Sequence, residues 1–525
     1  MAYDRLRGTD MESASILNDV LGPVMRGPSS SHTAGAHRIG RMARCLLDDE
    51  PVSMRLTFDP KGSYAPTYIP LGVDLAFTSG VMGWSMLDES YFSAIERAKE
   101  LGVDVEFLVG PLEHSKHPNA VLIQMVSKRG KELLASADSI GGGTVRFTYL
   151  DGWSVHLTGK WHDVLVEATK SAAAKIEPLL MDEESVGDIF RRERGDDILL
   201  HAARRTSLDP EINRRIEMTE GVKKVRNSEA IFYVQRGEDL YSSASEMLRA
   251  AENTKHSLGQ IALDYESELL GLSKGQVSQE IVRRFEIMKS SVHGGLDDPS
   301  VDMLLLTPTA RKLFEAEAQG RVAIGGIHTR AAARAMAVMH ICNSRGVVCA
   351  APTGGSAGVL PGVVLSLMEE LELTEERVVL ALLAASAVGL IVAKRATFAA
   401  ETAGCQVEIG VAGAMAAAAV VEAIGGNAQQ AADAAAVSLQ NTMGSVCDTV
   451  HGTCEIPCHT RNAIAASSAF TCADLIVGGY RNVIPLDETI DASYAVGKAL
   501  PRELRCTAAG GLAVTPSARS LPLLR

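Results

Sequence analysis

No basic stripe and no run of five like charges occurs in the 525 residues, whose formal charge is −13. Nucleic acid and anionic membrane surfaces both demand concentrated positive charge, so neither is expected as the main partner, and a small molecule is the expected ligand. The opening stretch MAYDRLRGTDMESASILNDVLG lacks the apolar segment of a signal peptide. That predicts a cytoplasmic chain and reduced thiols for its nine cysteines, an odd number. The longest apolar run, Val378 to Ala393, contains Ser386 and Gly389. It falls short of the roughly 20 residues of a membrane span, which predicts a buried core helix and no membrane partner. Tandem repeats and long low-complexity segments are also missing.

The chain is too long for one hydrophobic core, and its length corresponds to about three domains. Residues 1–158 mix strand-like runs (MRLTFDP, VDVEFLVG, TVRFTYLDG) with stretches read as helical (HTAGAHRIGRMARCLL, NAVLIQMVSKRGKELLASA), the pattern of an α/β domain. Gly141-Gly142-Gly143 predicts a hairpin turn. Residues 159–238 offer a strand (DVLVEAT), a helix (KSAAAKIEPLLM), a strand near Val186 to Phe190, a strand (DILLHAAR), a helix (PEINRRIEMTEGVKKV) and a strand (AIFYVQ). This is the βαββαβ order of small regulatory modules of the ACT type. Residues 239–525 read as a mostly α-helical catalytic domain, with Ala-rich helices packed closely and stops at Gly425-Gly426-Asn427 and Gly478-Gly479.

Cys405, Cys447 and Cys458 stand in ETAGCQVEIG and MGSVCDTVHGTCEIPCHTRNA, without zinc-finger or disulfide-scaffold spacing. Three thiolates can hold a cubane iron–sulfur cluster and leave one iron open as a Lewis acid. Cys405 follows a glycine and Cys447 follows MGSV, which predicts turns whose backbone N–H groups could bond sulfide, and Cys458 follows Pro457, as cluster ligands often neighbour a proline. Zinc is the alternative, since Cys447, His451, Cys454, Cys458 and His459 lie within thirteen residues; it leaves Cys405 without a role. Cys45, Cys342, Cys349 and Cys472, in apolar or helical surroundings, read as small buried hydrophobes.

Two segments have the chemistry of anion cradles. Ser29, Ser30, Ser31, His32 and Thr33, between Gly27-Pro28 and Ala34-Gly35, crowd hydroxyls and a titratable imidazole at the head of a helical stretch. Thr353, Gly354 and Gly355, in APTGGSAG ahead of VLPGVVLSLMEE, allow close backbone approach at a second helix start. Neither carries the Gly-Lys-Ser/Thr ending of a nucleotide P-loop or the dinucleotide fingerprint. A plain helix cap and a tight helix crossing are the structural alternatives.

Together GPSSSHTAGAHRIG, APTGGSAGVLPGVVL, AGCQVEIG, SVCDTVHGTCEIPCHTRNA, VIPLDETIDASYAVGKALPRELR and GGLAVTP resemble, in order, the iron–sulfur-dependent L-serine dehydratases (L-serine ammonia-lyases). The resemblance implies a β-type domain at the N-terminus, an α-type domain from about residue 240, and a homodimer. It implies a [4Fe–4S] cluster on Cys405, Cys447 and Cys458, no pyridoxal phosphate, and a substrate site lined by Ser29 to Thr33 and Thr353 to Gly355. The implied reaction is iron-assisted loss of the β-hydroxyl of L-serine or a related β-hydroxy-α-amino acid. A base removes the Cα proton, and the enamine hydrolyses to a 2-oxo acid and ammonia. His32 is the candidate base or substrate orienter.

The chain departs from the family pattern in four places. Pro70-Leu71-Gly72-Val73-Asp74 replaces the usual Gly-His-Gly-Thr-Asp, and Met303-Leu304-Leu305-Leu306-Thr307-Pro308-Thr309 replaces a polar Ser-Gly-Leu-Thr-Gly-Gly-Asp loop. Both losses of polar groups suit a larger or less polar substrate. His451, Cys454 and His459 stand at unusual positions around the cluster motif, and the tail SARSLPLLR has no cysteine, leaving Cys506 as the nearest thiol. The alternatives are a cysteine β-eliminating desulfidase, a catalytically idle amino-acid-binding relative and a structural zinc protein.

Overall fold

A computed structural model describes residues 13–182, 184–185, 189–298 and 301–524. The chain divides into an α/β unit, chiefly residues 35–140 and 144–237, and a helical unit of residues 14–34, 141–143 and 238–525.

The α/β unit carries two sheets. Helix α1 (Ala34–Leu47) is followed by strands β1 (Pro51–Phe58), β2 (Asp104–Val109), β3 (Ala120–Ser127), β4 (Glu132–Gly141), β5 (Thr144–Leu150) and β6 (Trp153–Leu157), which form one sheet in the order β2-β1-β3-β4-β5-β6. The β1–β2 pair runs parallel, and β1–β3, β3–β4 and β5–β6 run antiparallel. Phe58, at the end of β1, packs its ring 5.3 Å from Tyr64 and 6.0 Å from Phe77. A Cβ at Gly80 would stand 2.2 Å from the His37 carbonyl oxygen, so α1 crosses helix Val73–Val81 backbone to backbone.

One expectation is corrected here: NAVLIQMVSKRGKELLASA is a β-hairpin, not a helix. Val121, Ile123 and Met125 alternate inward along β3 while Gln124 and Val126 face out, the two-residue period of a strand. Gly130, at φ 78°, turns the chain into β4.

The second sheet follows the order β7 (His162–Thr169), α2 (Lys170–Leu180), β8 (Phe190–Arg194), β9 (Asp197–Arg204), α3 (Pro210–Glu217) and β10 (Val222–Ser228). Its strands lie β10-β7-β9-β8, all antiparallel, over a core that includes Val166, Ile176, Ile198, Leu200 and Ile216. The βαββαβ order matches expectation, but the last two elements are shifted. Helix α3 ends at Glu217, Gly221 takes φ 92°, and the final strand is VKKVRNS rather than AIFYVQ. The AIFYVQ segment instead runs as coil, with Phe232 under the Arg38 guanidinium at 4.3 Å. Residues 186–188, part of the expected third element, lie outside the described residues.

The helical unit begins with Ala244–Thr254, after which come α4 (Leu258–Leu270), α5 (Lys274–Asp297), α6 (Ile327–Asn343), α7 (Val359–Glu370), α8 (Glu375–Arg395), α9 (Ile409–Ala423), α10 (Ala428–Gln440), α11 (Cys458–Val477) and α12 (Leu486–Ala499). Every residue of α9 is buried, among α8, α10 and α11. Small residues permit such packing: a Cβ at Gly295 would lie 2.0 Å from the Ala337 carbonyl oxygen, where α5 crosses α6. The expected stops hold, with Asn427 capping α10 and Gly479 at φ 103° after α11. Helix α8 and the stretch Cys405–Ala423 are long and apolar enough to cross a membrane, yet 78% and 94% of their apolar windows are buried inside the protein. Such burial is what core helices show.

Candidate active site

The two cradles meet in the helical unit. Strand Val24–Arg26 pairs antiparallel with Val347–Cys349, joining the chain before each cradle. Beyond the pairing, the Gly354 N–H donates to the Ser30 hydroxyl at 3.4 Å. The fully buried Cys342 thiol on α6 donates to the carbonyls of Pro28 (3.5 Å) and Gly354 (3.3 Å), and burial pushes its pKa up to about 12. Expected to act as a small hydrophobe, it also clips one cradle to the other. Gly27 has no alternative, because a Cβ there would stand 2.0 Å from the Cys342 carbonyl oxygen.

Within the first cradle the Ser29 hydroxyl bonds the Nδ1 of His32 at 2.9 Å. Burial lowers the pKa of His32 to about 4, so its imidazole is neutral at pH 7. The Thr33 hydroxyl donates to the carbonyls of Arg26 (2.7 Å) and Ser29 (2.9 Å), which shapes the turn. Ser30, Ser31 and Thr33 are buried. In the second cradle, Thr353 caps the short turn Gly354–Ser356, and its hydroxyl lies 3.1 Å from that of Ser356.

Of the sequence-predicted thiols, Cys405 and Cys447 share one locus with a carboxylate: both sulfurs and a Glu408 oxygen lie within 4.8 Å of one another. Cys405 follows Gly404, which takes φ 75° and whose Cβ would stand 2.6 Å from the Ser445 carbonyl oxygen; only glycine fits there. Cys447 is fixed by backbone bonds to the C-terminal segment, its N–H to the Leu504 carbonyl and its carbonyl to the Cys506 N–H, both 2.9 Å. Cys458 opens α11 behind Pro457, at the positive end of the helix.

The Cys447 thiol hydrogen-bonds to Cys405, and this bond, helped by the Arg461 guanidinium, holds Cys405 below the ordinary thiol value in spite of burial. Arg461 Nη1 reaches the Cys405 sulfur at 3.6 Å and the Val446 carbonyl at 2.7 Å, and Nη2 pairs with Asp448 at 3.0 Å. Cys454 bonds to Cys458, and Cys506 to Cys447. Cys405 and Cys447 thus form a soft-donor pair with a cation beside it, while Cys458 pairs with Cys454 at the α11 N-terminus; this Cys-rich site is compatible with the expected cluster. Zinc would accept the same donors.

Asn462, one turn beyond Cys458, joins thiols to cradle. Its Nδ2 donates to the carbonyls of Cys458 (2.8 Å) and Gly355 (2.9 Å), and its Oδ1 accepts from the Gly358 N–H at 3.2 Å. Sequence reasoning missed Asn462, Arg461 and Glu408, although all three stand inside the quoted motifs CHTRNA and AGCQVEIG. His451 is exposed, in the left-handed region at φ 50°. His459 is buried with Nε2 3.0 Å from the Asn343 amide.

The two altered loops also have a place. Leu71 is buried beside the turn that starts helix Val73–Val81, where Gly72 takes φ 70°. In the other loop, the N–H groups of Leu304, Leu305 and Leu306 all donate to the Glu455 carboxylate, at 2.7, 2.9 and 2.8 Å. Their side chains pack with Val450, Ile456, Ala518 and Leu521. Those leucines serve packing against the segment between Cys447 and Cys458 and against the C-terminal segment.

The sequence profile of the family "Serine dehydratase alpha chain" matches residues 222–513. "Probable L-serine dehydratase, alpha chain" of Bacillus subtilis is 36% identical over 282 residues, 54% of this chain and 94% of that protein. The "Probable L-serine dehydratase, beta chain" of the same organism is 43% identical over 148 residues, 28% of this chain and 66% of that protein. "L-serine dehydratase 2" of Escherichia coli is 30% identical over 287 residues, 52% of this chain and 61% of that protein. Similarity to separate alpha and beta chains within one polypeptide accounts for both halves of the sequence pattern, and the chain belongs to the serine dehydratase family.

Proposed function

We propose that this chain is an L-serine dehydratase, a carbon–nitrogen lyase converting L-serine to pyruvate and ammonia. The observation that carries the proposal is the approach of candidate metal donors to the hydroxyl-rich cradle: Asn462 ties the start of α11, at Cys458, to Gly355, and the Glu408 carboxylate of the Cys405–Cys447 group lies 3.5 Å from the point a Gly355 Cβ would occupy. In this reading Cys405, Cys447 and Cys458 hold a [4Fe–4S] cluster, which when bound supplies a Lewis acid for departure of the β-hydroxyl. Ser29, Ser30, Ser31 and Thr33 and the backbone of Thr353, Gly354 and Gly355 hold the substrate carboxylate and stabilise the charge that spreads onto it as the Cα proton leaves. His32, neutral and oriented through Nδ1 by Ser29, is assigned that proton. Loss of hydroxide leaves an enamine, and its imine tautomer adds water to release ammonia.

The same reading takes residues 1–158 as the β-type domain, 159–238 as an ACT-like module, 239–525 as the α-type domain, and the protein as a cytoplasmic homodimer. The test is 2-oxo acid release by anaerobically reconstituted protein given L-serine, L-threonine or L-cysteine. Pyruvate from L-serine at enzymatic rates is expected. Sulfide from L-cysteine with no turnover of L-serine would replace the proposal with desulfidation, and no turnover by cluster-loaded protein would end it.

A further inference from the structure

We propose that Glu408 recognises the α-ammonium group of the substrate and thereby makes the site select amino acids over the matching hydroxy acids. This rests on the dehydratase reading above. An amino acid presents two opposite charges, and the cradle answers only one of them, since hydroxyls and backbone N–H groups suit the carboxylate.

Glu408 stands where the other charge belongs. Its carboxylate shares the locus of the Cys405 and Cys447 sulfurs within 4.8 Å, and its two oxygens lie 3.5 Å from the point a Gly355 Cβ would occupy. The Thr353 side chain hydrogen-bonds to it. One carboxylate therefore lies within 4.8 Å of both sulfurs and bonds to the cradle through Thr353. Its backbone is fixed, because Glu408 ends the turn Cys405–Val407 and its carbonyl accepts from Ala412 in the first turn of α9.

Charge accounting points the same way. Other buried carboxylates of the helical unit have partners built into the fold: Glu266 accepts from the Ser15 hydroxyl and the Ile16 and Leu17 N–H groups, Glu455 from three loop N–H groups, and Asp448 from the Leu512 N–H while paired with Arg461. Burial first, and then the like-signed Cys405 and Glu401, push the Glu408 pKa well above the ordinary carboxylate value, against the bond from Thr353. Its side chain is only half-buried, so a ligand can reach it. A carboxylate so placed takes its charged form most readily beside a cation, and a substrate ammonium would supply one.

The test compares L-alanine with L-lactate, unreactive isosteres that exchange an ammonium for a hydroxyl, by calorimetric binding to anaerobic cluster-loaded protein. Wild-type protein is expected to bind L-alanine at least ten-fold more tightly. In Glu408→Gln the affinity for L-alanine and the KM for L-serine should each worsen at least ten-fold, with L-lactate binding and acid-labile sulfide unchanged. Glu408→Asp, which retains the charge, should keep the preference for L-alanine and checks that the site tolerates substitution. Equal weakening of both ligands, loss of sulfide in Glu408→Gln, or no preference in wild-type protein would each overturn the assignment. If wild-type protein prefers L-alanine but forms no pyruvate from L-serine, the dehydratase reading falls and the ammonium site stands.

Discussion

Asn462 satisfies three backbone groups from two distant segments with one amide, two of its bonds running to the cradle and one to its own helix. Removing it leaves the Gly358 N–H and the Gly355 carbonyl buried without partners, at about 1–3 kcal/mol for each unsatisfied group. Asn462→Ala should therefore lower the melting temperature and reduce turnover of L-serine by at least ten-fold, whereas a variant with a full sulfide load, unaltered melting and unaltered rate would show the linkage to be idle. His37 gives a pH-dependent counterpart in the α/β unit. Its Nε2 bonds the Trp84 carbonyl at 2.8 Å, and burial lowers its pKa from 6.5 to about 4. Below pH 6.5 the unfolded chain binds a proton that the folded chain refuses until about pH 4. This histidine's contribution is thus complete above pH 6.5 and lost on acidification towards pH 4, at most roughly 3 kcal/mol. Denaturant midpoints measured at pH 7 and 4.5 should fall less in His37→Gln than in the wild type. Of these residues, the cysteines were legible because thiol chemistry is specific to one residue type. Asn462 and Glu408 were not, since an amide or a carboxylate acquires its role only from what folds against it.

At the scale of elements, the leucine loop and residues 516–524 act as a clasp on the segment between Cys447 and Cys458. Leu521 and Ala518 pack against Leu305 and Val450, and the Leu524 N–H donates to the Leu304 carbonyl at 2.8 Å. Removing residues 516–525 should speed hydrogen exchange and proteolysis at 303–306, and Glu455→Ala should do the same while costing about 2–4 kcal/mol, since its carboxylate accepts three charge-assisted bonds. Unchanged exchange at Leu304 to Leu306 in both variants would rule out the clasp. Substitution at a helix crossing should also be costly: Gly295→Ala places a Cβ 2.0 Å from a backbone oxygen, so α5 and α6 must separate, and a loss of about 1–3 kcal/mol in stability is expected by thermal or denaturant unfolding. Helices of the second half were readable from their caps and glycine stops. The hairpin of β3 and β4 was not, because Ala, Leu, Met and Lys favour helix locally and only pairing with β1 settles the strand.

For the whole molecule, the prediction concerns the cluster. Protein purified without oxygen should be brown and release acid-labile sulfide. Cys405→Ser, Cys447→Ser and Cys458→Ser should each lose most of both, while Cys472→Ser, on the remote part of α11, should keep them; colourless wild-type protein containing zinc would reverse the assignment. The sequence alone determined the family with its class of chemistry and the order of the α/β and helical regions, and it singled out the residues proposed for both cradles, because motif glycines, hydroxyls and thiols carry their chemistry in local spacing. Tertiary structure alone decided which of these groups meet. Ser30 and Gly354 are brought to 3.4 Å across more than three hundred residues of chain, and Glu408 is turned towards the cradle. Such contacts come from long-range packing of helices and strands, whose energy is spread over many apolar side chains and leaves no local mark on the residues it brings together.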